Sequence, residues 1–132
     1  MRYMYLIYTT PEMAAGPPPR RLMEEIGKMS AAQTNMLSGG GLRTIDQAVR
    51  ARVKGAKLTI TDGPFAESKE VMGGYAIFEH PTREAAIESM RQFMELHLRY
   101  GEGWEGVCEM REMADTPPGH GELPHSAHGR IS

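Results

Sequence analysis

Apolar and polar positions in "RYMYLIY", residues 2 to 8, do not separate onto two faces. Tyr3, Tyr5 and Ile7 alternate with Met4, Leu6 and Tyr8, so both sides of a strand would be apolar. A strand of that kind needs cover on both sides. A short chain covers one sheet face with its own helices, which leaves the second face for another subunit or an apolar ligand. The pattern therefore predicts a homodimer. After the breaker "AAGPPPR", the spacing of Leu22, Ile26, Met29, Gln33 and Met36 predicts a helix from Arg20 to Leu37, ended by the glycines of "SGGG" at 38 to 41.

"AVRARV" alternates Val49, Ala51 and Val53 with Arg50, Arg52 and Lys54, and "KLTIT" follows the "KGA" turn, which predicts a β-hairpin. "GGYAIFE", residues 73 to 79, is the next strand, where Gly73 and Gly74 suggest a bulge or a close backbone approach. Pro81 and Thr82 open a second helix with Ala86, Met90, Phe93 and His97 at helical spacing. Position 85 is Ala, so the capping box is absent. "WEGVCEMREM" supplies the last strand. The order strand, helix, hairpin, strand, helix, strand predicts an α+β fold, a ferredoxin-like sandwich with two helices on one face of an antiparallel sheet plus an extra β-hairpin. Residues 1 to 113 form the domain, and 114 to 132, rich in Pro, Gly and His, form a C-terminal tail.

Composition narrows the function classes. At 132 residues the chain is large enough for one core without disulfides, and its net charge of −2 gives no general attraction to nucleic acid or anionic membrane. Nucleic acid and membrane are therefore not expected partners. The lone Cys108 excludes an intramolecular disulfide and suits a reducing compartment, and no apolar run approaches bilayer-spanning length, so the expected location is cytoplasmic. Nothing resembles a P-loop, a GxGxxG turn, a GxSxG elbow or an HExxH helix, and no cofactor is expected.

The densest chemistry lies in "TDGPFAESKE", residues 61 to 70. Together, "MRYMYLIY", "TDGPFAESKEVMGGYAIFE" and "GWEGVCEMREM" resemble the YCII-related family, specifically its DGPF subgroup, over about residues 1 to 113. The resemblance implies a ferredoxin-like fold that dimerises through its sheets into an α/β barrel. It also implies a small-molecule cleft with possible cofactor-independent acid/base chemistry. The His and Asp pair attributed to such clefts does not carry over, because residues 20 to 37 contain no histidine. Asp62, Gly63, Pro64, Phe65, Glu67, Lys69, Glu70, Gly73, Gly74 and Tyr75 match position by position. An association of some members with sigma factors gives a competing reading, a non-catalytic sensor or module that binds a protein partner.

Each candidate residue has a structural and a chemical reading. Asp62, before Gly63-Pro64, suits an Asx-turn, or it is a general base, with Phe65 and neighbouring carboxylates favouring a raised pKa and Lys69 opposing it. Glu67, Lys69 and Glu70 are a solvated loop, or Lys69 anchors an anionic substrate while a carboxylate handles a proton. Phe65 and Tyr75 would shape the pocket. His97 reads as a packed core histidine and His80 as a loop residue. His120, His125 and His128 lack the regular spacing and rigid support of a metal site, so no metal is expected. The basic hairpin face is a solvated surface or a grip for an acidic ligand or partner, and Met29, Met36, Met90 and Met94 fill core gaps.

Overall fold

The computed structural model describes residues 1–33, 35–63, 65 and 69–114. Strand β1 runs Arg2–Thr9, followed by a short helix α1 (Pro11–Ala15), helix α2 (Arg20–Ala32) and strand β2 (Met36–Gly41). Strands β3 (Val49–Lys54) and β4 (Lys57–Asp62) precede β5 (Val71–Glu79), helix α3 (Arg83–Tyr100) and β6 (Gly106–Glu112). The larger sheet has the order β2-β5-β1-β6, all antiparallel, and β3 and β4 form a separate pair. With that pair set aside as an insertion, the path is strand, helix, strand, strand, helix, strand, which is the ferredoxin-like α+β arrangement.

The core lies between this sheet and α2 and α3. Tyr3, Tyr5, Ile7, Ala76 and Phe78 point inward from β1 and β5 to meet Ala86 and Phe93 of α3. Tyr5 stacks on Phe78 with centroids 4.8 Å apart, and Met29, Met36, Met90 and Met94 pack around the cluster as gap-fillers. Thr82 caps α3 by accepting a hydrogen bond from the Ala85 N–H at 3.1 Å. His97 is buried on the inner face, where its Nδ1 lies 3.0 Å from the Phe93 carbonyl and its ring packs edge-on against Phe93 and close to Trp104. It is the core histidine its spacing suggests.

The segment before β3 differs from expectation. Helix α2 stops at Ala32 instead of Leu37, and "MLSGGG" is an edge strand rather than a helix terminator. Gln33 and Met36 fit a helical period by coincidence, while a run of glycines carries no alternating signal. What the glycines provide is close approach. A Cβ at Gly39 would lie 3.1 Å from the Tyr75 carbonyl oxygen, and one at Gly74 would lie 3.0 Å from the Gly40 carbonyl oxygen. Gly73 forms the expected bulge, since Ile7 pairs with Gly74 and Tyr8 already pairs with Met72. Helix α1 is capped by the Thr10 side chain, which accepts from the Met13 N–H, and it precedes the glycine and prolines of the breaker.

Candidate functional site

Pairing places two different environments at the two ends of the sheet. At one end, Arg2 pairs with Glu79, and the chain turns through His80. His80 is 6% exposed despite its loop position. The Asn35 amide donates to His80 Nδ1 at 3.2 Å and to the Glu79 carbonyl at 3.0 Å. Tyr5 donates to the Ala86 carbonyl at 2.9 Å, so its oxygen is left to accept from His80 Nε2–H at 3.4 Å. Burial pushes the His80 imidazole below its ordinary pKa, as it does for His97. Sequence reading missed this knot because its members lie at positions 5, 35 and 80, with no local spacing to connect them.

At the other end, Thr9 pairs with Val71 and with Gly106, so Lys69 and Glu70, which lead into β5, lie beside the end of β1 and the start of β6. Here an open cleft of about 610 Å³ is lined by Thr10, Lys69, Glu70, Glu105 and Gly106. The Thr9 hydroxyl donates to the Glu105 carbonyl at 2.7 Å and fixes the chain that carries one wall. One ammonium and two carboxylates thus face the same space, with a hydroxyl beside them. Lys69 has no ion-pair partner among the described residues.

The other candidates are spread along the loop and the sheet. Asp62 is exposed at the end of β4, opposite Val49, and makes no hydrogen bond or ion pair among the described residues; it is not among the residues lining the cleft. Phe65 lies under the Arg50 guanidinium, 3.9 Å from carbon to ring centroid, and so ties the loop to the β3–β4 pair. Gly63 completes that tie: its N–H donates to the Ala48 carbonyl at 3.0 Å, and a Cβ there would meet the Asp46 carbonyl oxygen at 3.1 Å. Tyr75 lies on the outer sheet face, half-buried, beside Leu6 and Gly40. Glu67 lies outside the described residues, as do His120, His125 and His128. Cys108 is half-buried under the helices, and its thiol is pushed up to about 11 by desolvation, which makes it a poor nucleophile. No group of three or more possible metal ligands occurs among the described residues.

Fold and cleft together define a ferredoxin-like α+β protein with a polar, mixed-charge cleft at one end of its sheet. The chain belongs to the YCII-related family: the family model for the YCII-related domain matches residues 1–95, from β1 through most of α3. No curated protein matches the chain. Among the described residues, no helix is long and apolar enough to cross a membrane.

Proposed function

We propose that the protein is a homodimer that binds a small polar molecule in the cleft between the 63–70 loop and the ends of β1 and β6, and that it carries out cofactor-independent acid/base chemistry there. One observation carries this reading: the middle of the outer sheet face is apolar and runs to the cleft, with Arg2, Glu79, Glu109 and Arg111 at its margins. Met4, Leu6, Tyr8, Tyr75, Ile77 and Val107 share that face, and none of them is buried within one chain. Tyr8 and Val107 lie one position from Thr9 and Gly106, so a second sheet laid over this face would roof the cleft and lower its dielectric.

The lining defines the ligand class. Lys69 attracts an anionic group, the Thr10 hydroxyl adds a donor, and Glu70 and Glu105 accept from a hydroxyl or amine. A small hydroxy or keto acid satisfies such a set. Of the groups that line the cleft, the Glu105 carboxylate is the candidate base; Asp62, at the end of β4 opposite Val49, does not line it.

The test is native mass spectrometry of the purified protein, followed by thermal-shift titration with a panel of small hydroxy and keto acids. The expected result is a dimer stabilised by at least one acid, with the shift lost in Lys69→Ala. In Glu105→Gln the shift persists and turnover of that acid falls by about 100-fold, the lower range for a general base. A dimer insensitive to every acid, with Lys69→Ala behaving as the parent, contradicts the cleft assignment.

A further inference from the structure

We propose that the β3–β4 pair is an arm that clasps a second copy of this chain, its apolar face on the partner's apolar surface and its basic face toward the partner's carboxylates. This rests on the homodimer reading above and adds to it the element that holds the two chains together.

Among the described residues, the arm hydrogen-bonds as a strand pair only with itself, from Val49 opposite Asp62 to Lys54 opposite Lys57. Residues directly opposite share a face, so Val49, Ala51, Val53, Leu58 and Ile60 form one side, apolar except for Asp62 opposite Val49 at the arm's root. Every residue of both strands is exposed: Val53 is 75% accessible, Ile60 70%, Val49 61% and Leu58 57%. A lone two-stranded hairpin is marginal in water, yet this one is shaped for rigidity. Gly55 and Ala56 both have positive φ, +58° and +62°, the two-residue turn that matches strand twist. A preformed strut with one uncovered apolar side is built to be covered.

The occupant follows from area and charge. A stable interface needs roughly 20–30 residues a side. The outer sheet face alone falls short of that, and the arm adds two strands of six residues each. The opposite side of the arm carries Arg50, Arg52, Lys54 and Lys57, which form no ion pairs among the described residues. With a chain net charge of −2, the surface outside the arm is correspondingly acidic. Much of that acid sits around β6, an edge strand among the described residues, where Glu102, Glu105, Glu109 and Glu112 are exposed. One chain thus offers both halves of a complementary pair, a basic arm and an acidic sheet edge, as an isologous dimer requires. Phe65 under Arg50 connects the arm's root to the loop bearing Lys69 and Glu70, so docking of the arm would also hold a wall of the cleft.

The experiment uses the full chain. Equal amounts of unlabelled and nitrogen-15 chains are mixed, cross-linked with a zero-length carbodiimide and analysed by mass spectrometry. The expected products join Lys54 or Lys57 of one isotope to a glutamate of β6 or its preceding loop in the other. In parallel, sedimentation velocity compares the parent with Val53→Asp/Ile60→Asp, whose far-UV circular dichroism should be unchanged because both side chains are exposed. The variant dimer should be weakened at least about tenfold, since two carboxylates would be buried unpaired. A dimer of unchanged affinity with no mixed-isotope link from the arm overturns the inference and leaves the homodimer standing. A monomeric parent overturns both. Recovery of a different protein through the arm, lost in the variant while the dimer persists, also overturns it.

Discussion

Phe78 in β5 and Ile60 in β4 are both strand residues on an apolar side, yet Phe78 is 3% exposed and Ile60 is 70%. Phe78 has Tyr5 stacked on it and helix α3 behind that layer, whereas Ile60 stays exposed among the described residues. Alternation tells a chain to form strands; it does not say which molecule supplies the cover. The inner face of the central sheet is closed by the chain's own helices. The outer face and the arm are left for something else, and the proposed homodimer supplies it.

The largest test of this contrast is truncation on each side. Phe78→Ala removes a stacked ring from a closed core and should cost about 3–5 kcal/mol of unfolding free energy in urea titration. A loss below 1 kcal/mol would show that the inner face is as loosely held as the arm. Next in size is Gly74→Ala, where the new methyl group presses on the Gly40 carbonyl and forces β2 away from β5. The expected cost is about 1–3 kcal/mol, with faster amide exchange along β2 than in the parent.

The third test uses pH. His80 and His97 have folded pKa values below the ordinary 6.5 because burial disfavours their charged forms. The unfolded chain therefore binds protons first, so their contribution is complete above pH 6.5 and is lost as pH falls below it. The slope is at most about 1.4 kcal/mol per pH unit for each histidine. Replacing His80 by Gln should flatten that slope between pH 6.5 and 5, and an unchanged slope would remove His80 from the account. The smallest effect belongs to the arm itself. At dilutions where the chain is monomeric, Ile60→Ala should change stability by less than about 0.5 kcal/mol. A cost comparable to Phe78→Ala would mean that Ile60 is covered within its own chain.

Much of this architecture was legible in the sequence. The two-sided apolar pattern of residues 2 to 8 identified the central strand β1, the Lys-Gly-Ala turn identified the arm, and Thr82 marked the start of α3. Strand β2 was not legible, because Gly39, Gly40 and Gly41 have no side chains to alternate, and their role as close-packing partners of β5 depends on a strand far away in sequence. The site was legible in part. The charged loop pointed to Lys69 and Glu70, but Thr10, Glu105 and Gly106 join them only through the pairing of β1 with β6. Asp62 and Tyr75, neighbours of that loop in sequence, stand apart from the lining because the bulge at Gly73 and the arm take them elsewhere.

The most direct test of the central claim, that a second copy covers what one chain leaves open, is the native mass of the protein beside that of Leu6→Glu. Leu6 lies in the middle of the outer sheet face, between Tyr75 and Glu109. The account predicts two chains for the parent and one for the variant, with the variant still folded by circular dichroism. A parent of one chain, or a variant that dimerises as tightly as the parent, would contradict it.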